Sequence, residues 1–481
     1  MKTIKSLLYT ISLLLLTACG NGWLDMDPST SIIDGEEPTL ARADNSINGI
    51  YSLMQSSDAY SGRMIYYADV TGDDIQAYSE TKRCGSYYLF KYTKDNAPSS
   101  FWRNPYEIIR NSNIILSYID DLNIQDKDKV KRDDIKGQAL ALRALALFDL
   151  TRIYGEPFTK NGGSSWGATI VKDIPAIDYK PKRNTVKECY DAIIEDLEAA
   201  LPLLKDVRDE ANKGKINKWA AMTLLSRVYL YCEKNTEALK TAEDAIFGAK
   251  AKSFRLWTNE EYATAWTQAF TPEVLFEIVN ITTDSPGKES MGYLCSSTGY
   301  KDMILTSSFI AFMNKDKSDV RNKVIKVVSK RYYINKYPGQ QSEGELDANI
   351  PIYRMSELYL NAAEAAVKLG NNDKAVTYLD EIVKRANPAK TVQGTTITLE
   401  RVLDERRKEF FGEGHRLFDA MRNNQTIERK DDASVGAASK HLPMSAESKK
   451  FTRDYYKIIL PIPKYEMDAN PNMRDQQNPG Y

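Results

Sequence analysis

The chain has 481 residues, of which 42% are hydrophobic and 27% are charged, a composition that supports a large core beneath a soluble surface. This length allows two or three domains, or one large helical body with insertions. The formal net charge is -1 and no long basic run occurs, which argues against a protein that binds nucleic acid through its charge.

The N-terminal residues have the pattern of an export signal. Lys2 and Lys5 precede an apolar run at 7–16, which is too short for a comfortable membrane span. A short basic segment followed by about ten apolar residues is typical of a secretory signal. We therefore predict a signal peptide at residues 1–18.

A cysteine follows the small residues at the end of this run. The sequence Leu-Thr-Ala-Cys at 16–19 resembles a bacterial lipobox, which predicts cleavage before Cys19 and attachment of acyl chains to it. An ordinary signal peptide with an incidental cysteine is the alternative. Gly20 stands where an aspartate would favour retention at the inner membrane, so we expect the outer membrane. Residues 19–45, rich in Asp, Ser, Thr, Pro and Gly, are predicted to form a lipidated tether.

The remaining residues, 46–481, are predicted to form one mainly α domain. A first helix is expected at 46–57, and helical hairpins follow where apolar residues recur three or four positions apart. The clearest hairpin covers 354–386, where Gly370 suits a helix end and Asn371 caps the next helix. Its pattern of bulky and small residues is close to a tetratricopeptide unit, which needs neighbours to bury both of its faces.

Three further hairpin-like segments supply those neighbours. They are irregular and are predicted at 105–154, at 185–233 and from 236 onward, the last with an uncertain partner. Insertions without a helical period separate them and are predicted to contain loops, short strands and, in the longest, short helices. These insertions lie near 58–101, 156–184 and 250–350.

The chain closes with a helix rich in charge at 399–423, a loop and a strand-like segment at 457–463. The charged residues of the helix recur at helical spacing, which predicts structural ion pairs within one element rather than an active site. They are Glu405, Arg406, Arg407, Glu409, Glu413 and Arg416.

We predict no catalytic residue, no cofactor and no metal site. The sequence has two histidines, His415 and His441, and no GxSxG, HExxH, P-loop or GxGxxG string. Asp73 and Asp74 supply the two carboxyl groups that a glycosidase needs. Adjacent acidic residues are common in loops, however, so this pair does not by itself predict catalysis. Four further cysteines lack CxxC and metal-site spacing, and both disulfides and isolated buried thiols remain open for them. They are Cys84, Cys189, Cys232 and Cys295.

Four segments in chain order resemble the SusD/RagB family of outer-membrane nutrient-binding lipoproteins. RALALFDLTRIYGEPF at 143–158 is similar to the family's helix ending in Tyr-Gly-x-Pro, and DIPAIDY at 173–179 is similar to the segment that follows. LDERRKEFFGEGHRLFDAMR at 403–422 resembles its arginine-rich signature, and the tail at 458–481 resembles its closing Gln-Asn-Pro-Gly-Tyr. The resemblance implies a SusD-like fold, in which irregular tetratricopeptide pairs form a scaffold and insertions build a glycan-binding face.

The resemblance also implies where the protein works and with what. It implies a lipid-anchored protein at the outer membrane, facing the cell exterior and covering a TonB-dependent (SusC-like) transporter like a lid. Such a protein captures oligosaccharide or polysaccharide as a nutrient and delivers it to the transporter. The alternative is a structural lid whose tetratricopeptide groove binds a peptide, without carbohydrate specificity.

A glycan site would combine aromatic and polar side chains. A sugar ring offers an apolar face for a flat aromatic ring and a rim of hydroxyls for polar groups. Such residues must be exposed and held by a scaffold, which favours the insertions, although packing between helices is the alternative role for each of the 29 tyrosines. The first candidate patch consists of Tyr66, Tyr67, Asp73, Asp74, Tyr78, Tyr87 and Tyr88. The second consists of Asp284, Lys288, Tyr293, Tyr300 and Asp302, and Trp166 is a third candidate.

Overall fold

The computed structural model describes residues 37–176, 178–210, 213–340, 344–436 and 440–481. The predicted signal peptide at 1–18, the lipid attachment at Cys19 and most of the predicted tether lie outside the described residues. The last part of the tether prediction, 40–45, is wrong, because a helix runs from Leu40 to Gln55. Thr39 accounts for this earlier start, since its side chain caps the helix by accepting a hydrogen bond from the Arg42 backbone N–H.

Twelve helices of seven or more residues occur in the described ranges, together with several single-turn helices. The longer ones are α1 (Leu40–Gln55), α2 (Arg63–Val70), α3 (Ser100–Leu116), α4 (Lys129–Tyr154), α5 (Val186–Ala200), α6 (Lys218–Tyr231), α7 (Asn235–Ala251), α8 (Ser307–Met313), α9 (Met355–Lys368), α10 (Asn372–Ala386), α11 (Leu399–Phe410) and α12 (Arg416–Arg422). The shorter ones lie at Gly85–Tyr88, Phe158–Asn161, Tyr262–Ala265, Met291–Cys295, Ala446–Lys449 and Lys464–Ala469.

The strands are short and form antiparallel pairs. These pairs are β1 (Ile75–Ala77) with β3 (Met303–Leu305), β2 (Val274–Ile278) with β6 (Ile350–Arg354), β4 (Ile325–Val328) with β5 (Arg331–Ile334), and β7 (Ile427–Glu428) with β8 (Lys450–Phe451). The β1–β3 pair joins two insertions that lie far apart in the sequence, with Ile75 opposite Leu305 and Ala77 opposite Met303.

The longer helices pack on one another as a chain of hairpins. α3 packs on α4, α4 on α5, α5 on α6, α6 on α7, α7 on α9 and α9 on α10. The segment from 236 onward, whose partner the sequence leaves uncertain, is α7, and it lies between α6 and α9. The insertion at 250–350 therefore leaves the stack after α7 and rejoins it at α9. The predicted mainly α scaffold of tetratricopeptide-like hairpins is confirmed.

The insertion at 58–101 contains a helix that its sequence pattern does not predict. Every residue of α2 from Met64 to Val70 is buried. A helix that is buried all round has no polar face, so it produces no amphipathic period in the sequence. The prediction of loops and short strands alone was wrong for this insertion.

The C-terminal part differs from the prediction in two places. The helix expected at 399–423 is interrupted between α11 and α12, where Gly412 has φ 79° and Gly414 has φ 82°. The strand expected at 457–463 is absent, because this segment does not pair with a neighbouring strand. Leu460 N donates to the Ile153 carbonyl at the end of α4 at 2.9 Å.

The break between α11 and α12 supports a stability prediction. A Cβ at Gly414 would lie 2.9 Å from the Ile65 carbonyl oxygen, whereas a Cβ at Gly394, which also has positive φ (75°), meets nothing within 4 Å. We expect Gly414→Ala to lower the free energy of unfolding by about 2–4 kcal/mol and Gly394→Ala by about 1 kcal/mol. Urea unfolding of both variants measures this, and equal losses would show that contact with α2 does not constrain the break.

Ion pairs of the charged helix run mainly to other elements, contrary to the prediction of pairing within it. Glu409 binds Arg385 at 2.6 Å and Arg354 at 3.0 Å, and Glu413 binds Arg354 at 2.8 Å and Lys336 at 2.6 Å. At most 5% of each of these five side chains is accessible to solvent. Helical spacing places charges on one face but does not identify what faces them, and here the facing groups come from β6, α10 and the segment after β5.

Candidate functional site

The tyrosines of the first predicted patch are mostly buried. Tyr66 and Tyr67 are each 1% exposed, and Tyr88 is fully buried. Tyr87 stacks on Phe101 with 6.0 Å between ring centres and contacts Tyr67 edge-on at 5.8 Å. A glycan site needs exposed rings, so these four tyrosines are corrected to an aromatic core that supports α2.

Asp73 and Asp74, the acidic members of that patch, are bound by arginines. Arg416 Nε lies 2.6 Å from Asp73 Oδ1, and Arg407 Nε donates to Asp74 Oδ1 at 2.6 Å. Burial opposes ionisation of Asp73, but the charges of Arg416 and Arg407 hold the pKa of its carboxyl well below the ordinary value. Both carboxylates therefore tie the first insertion to α11 and α12, and they are corrected to structural roles.

Tyr78, the remaining member of the first patch, is joined to the second patch through the backbone of Asp302 and the side chain of Lys82. It follows β1, and its backbone N–H donates to the carbonyl of Asp302, just before β3, at 2.8 Å. Tyr300 N donates to the Tyr293 carbonyl at 3.0 Å, and the two rings meet edge-on with 5.0 Å between their centres. Tyr78, Tyr293 and Tyr300 are half-buried. We call these three residues the tyrosine surface.

Basic side chains hold the tyrosine surface together. The Arg83 guanidinium lies 4.2 Å from the Tyr300 ring centre, and that of Arg331 lies 4.8 Å from the Tyr78 ring centre. Lys82 Nζ lies 5.8 Å from the Tyr78 ring centre and also donates to the Tyr300 carbonyl. These contacts fix the three rings relative to one another, so a ligand placed on them would order little further structure.

Asp302 lies beneath this surface rather than on it. Its side chain is fully buried and binds Arg83 at 3.3 Å and Lys82 at 3.6 Å. Burial raises the pKa of its carboxyl, while the charges of Arg83 and Lys82 oppose that rise. The prediction that Asp302 contacts a glycan directly is therefore corrected: it positions the two basic residues that touch the rings.

Comparisons with known proteins agree with the fold. The model of the SusD family matches residues 296–481, and a family model described as starch-binding and associating with the outer membrane matches residues 23–230. The solved structure of a putative sugar binding protein from Bacteroides vulgatus is 55% identical to this chain; the match covers 92% of this chain and 99% of that protein, with a TM-score of 0.89. A SusD superfamily protein from the same organism is 38% identical to this chain. That match covers 92% of this chain and 100% of that protein, with a TM-score of 0.85.

The chain belongs to the SusD family. The starch-binding protein SusD of Bacteroides thetaiotaomicron is 35% identical to it over 137 residues, which cover 28% of this chain and 22% of that protein. The predicted family resemblance and fold class are thus confirmed. None of the described helices is both long and apolar enough to cross a lipid bilayer.

Two further residues that were predicted to contact a glycan, Asp284 and Trp166, lie apart from the tyrosine surface. Asp284 lines a groove of about 300 Å³ with α1 and the loop at Lys213 and Lys215, and no member of the tyrosine surface lines that groove. Trp166 is 43% exposed in the insertion at 156–184, where its backbone pairs with that of Thr185. Lys288 does belong with the rings, since its Nζ lies 5.8 Å from the Tyr293 ring centre.

The groups that suggested chemistry in the sequence are buried or half-buried. His415 stacks on Phe410 with 4.5 Å between ring centres, and burial together with nearby arginine charges holds its pKa well below the ordinary value. The four cysteines in the described ranges are buried free thiols: Cys84, Cys189, Cys232 and Cys295. No group of three or more His, Cys, Asp or Glu side chains in the described residues is arranged to hold a metal ion.

Sequence reasoning named Lys288 but missed three other basic residues beside the rings, Lys82, Arg83 and Arg331. Lys82 and Arg83 follow Tyr78 within the same loop, and that proximity was a usable signal. Arg331 begins β5, and nothing in its local sequence indicates a contact with Tyr78. The pairing of β1 with β3 brings the two patches together, and such a long-range pairing between three-residue strands leaves little trace in the sequence.

Proposed function

We propose that this SusD-family chain is a surface glycan-binding lipoprotein that captures oligosaccharide and delivers it to a TonB-dependent outer-membrane transporter. The observation that carries the proposal is the tyrosine surface. Three half-buried rings from two insertions are held by strand pairing and by basic side chains, on a scaffold of packed helices. Rigid aromatic groups beside hydrogen-bond donors match the apolar face and hydroxyl rim of a sugar.

The relatives support binding of carbohydrate rather than its chemical conversion. One solved relative is described as a putative sugar binding protein, and a curated one is named a starch-binding protein. The described residues of this chain place Asp73 and Asp74 in ion pairs, so this adjacent pair does not flank an open cleft as a glycosidase pair would. We propose a binding protein with no catalytic residue.

The anchor and the partner are part of the same proposal. Acylation at Cys19, followed by the tether, would hold the folded body at the outer membrane and face it to the cell exterior. The family model described as associating with the outer membrane supports this location. A TonB-dependent transporter is the partner that would receive the captured glycan.

Isothermal titration of the purified protein against a panel of polysaccharides and their oligosaccharides tests the binding proposal. We expect saturable heat for one class of glycan with a dissociation constant on the order of 1 μM to 1 mM, because an open surface buries little of its ligand. Silence across the whole panel would contradict the proposal and favour the structural lid without carbohydrate specificity.

A further inference from the structure

The tyrosine surface carries an excess of positive charge. Five basic residues lie on its rings or directly beside them: Lys82, Arg83, Lys288, Lys301 and Arg331. The carboxylates that meet them are those of Glu289 and Asp302. The whole chain has a net charge of -1, so this excess is local and is not a property of the overall composition.

Both carboxylates are already occupied. Glu289 Oε1 lies 2.7 Å from Arg83 Nη2, and Asp302 binds Arg83 and Lys82. The nearby Glu80 is neutralised by Lys91 at 2.9 Å. The acidic groups around the surface therefore pair with Lys82 and Arg83, and the other three basic residues have no acidic partner among them.

Lys288, Lys301 and Arg331 form no ion pair within the described part of the chain. Lys288 is exposed, and Lys301 and Arg331 are half-buried, so all three are within reach of a ligand in solvent. Lys301 lies between Tyr300 and Asp302 and has φ 54°, an uncommon conformation for lysine that turns the chain at the surface. Unpaired cations on a shallow surface attract an anion more than they stabilise the fold.

Two of these cations lie where a ligand on the aromatic rings could contact them. The Arg331 guanidinium lies over the Tyr78 ring, and Lys288 lies over the Tyr293 ring. A sugar ring placed beside them on the free part of the aromatic surface would direct its substituents toward these charges. A hydroxyl would accept a hydrogen bond from them, but a carboxylate or sulfate would also neutralise them.

We infer that the glycan bound by the tyrosine surface is acidic, with carboxylate or sulfate-ester substituents that bind Lys288, Arg331 and Lys301. This inference rests on the proposed glycan-binding function and specifies its ligand class. The aromatic rings take the sugar faces, and the unpaired cations select the charge. Carboxylate and sulfate share the anionic chemistry that the surface recognises, and binding experiments separate them.

The test is titration calorimetry with matched probes. One pair is an oligogalacturonate and its fully methyl-esterified, neutral form; the other is a sulfated galactan oligosaccharide and its desulfated form. We expect one anionic probe to bind at least about tenfold more tightly than its neutral partner. Its affinity should fall as salt rises from about 0.05 M to about 0.5 M, because salt screens exposed charges.

Variants locate the effect on the surface. Lys288→Gln combined with Arg331→Gln should weaken the anionic probe about tenfold more than it weakens the neutral partner, because a neutral glycan loses hydrogen bonds and ring contacts but no charge pairing. Lys250→Gln, which removes one positive charge at an exposed position of α7, should have no effect on either probe. Neither site variant removes an ion pair seen among the described residues, so thermal melting should confirm that both still fold.

The outcomes separate this inference from the function on which it rests. If neutral probes bind as tightly as anionic ones, or the double variant binds the anionic probe like the wild type, the acidic preference is wrong. If only neutral glycans of the wider panel bind, the acidic preference is also wrong and the proposed function stands. If no glycan of any charge binds, both are wrong.

Discussion

Replacing Arg354 by methionine is expected to lower the free energy of unfolding by about 3–5 kcal/mol, because the change leaves buried carboxylates without their partner. Arg354 ends β6 and binds Glu273 at 2.5 Å, Glu409 at 3.0 Å and Glu413 at 2.8 Å. It is 2% exposed, so water cannot replace the guanidinium. Urea-induced unfolding followed by circular dichroism measures the loss.

The matched control is Arg255→Met, which removes an arginine from an exposed pair. Arg255 lies 2.7 Å from Glu261, and roughly half of its side chain is accessible to solvent. We expect a loss below about 1 kcal/mol, because exposed ion pairs contribute little. Similar losses for the two variants would mean that the buried network around Arg354 is not what joins the insertion at 250–350 to the helical scaffold.

Replacing Tyr293 and Tyr300 together by alanine is expected to abolish most glycan binding. Truncating aromatic anchors at the centre of a binding surface costs about 2 kcal/mol or more, so the loss of this pair should weaken the affinity by at least about thirtyfold. Both rings are half-buried and lie outside the helical stack, Tyr293 in the short helix Met291–Cys295 and Tyr300 in the loop before β3. The melting temperature should therefore change little while the titration signal is lost.

A tyrosine elsewhere on the surface provides the control for this experiment. Tyr465 is 44% exposed on the short helix Lys464–Ala469, away from β1 and β3. Tyr465→Ala should leave glycan affinity unchanged. If the affinity survives in the double variant, or falls equally in Tyr465→Ala, the tyrosine surface is not the site.

The scaffold follows from the sequence because its signals are local. The hairpin at 354–386 has an apolar stripe on each helix and a turn at Gly370, and the structure has α9 and α10 there. α4 is apolar on nearly all sides in the sequence, and it is buried from Gly137 through Thr151. Such patterns depend on residues within a few turns, so they can be read without knowing the fold.

The candidate site is harder to predict from the sequence, because long-range packing decides which side chains are exposed. Tyr66 and Tyr293 occur in insertions of similar composition, yet Tyr66 is buried against Tyr87 and Tyr293 remains half-buried. What separates them is the position of α2, a helix that the sequence pattern does not reveal. Likewise, Asp302 and Asp284 look alike in the sequence, but one lies under the rings and the other lines a separate groove.

The buried ion pairs show the same limit. The charges of α11 were recognised as structural from their helical spacing, but their partners were not. Arg407 reaches Asp74 in the first insertion, and Glu409 reaches Arg385 on α10. Choosing partners across elements requires the packing of those elements, which a helical period does not contain.

A crystal structure of the protein with the glycan found by titration tests the central claim most directly. We expect a sugar ring in van der Waals contact with Tyr293 or Tyr300, about 4 Å from the aromatic face, with its substituents directed toward Lys288 and Arg331. A glycan bound instead in the groove beside Asp284, or at Trp166, with the tyrosine surface empty, would contradict this account.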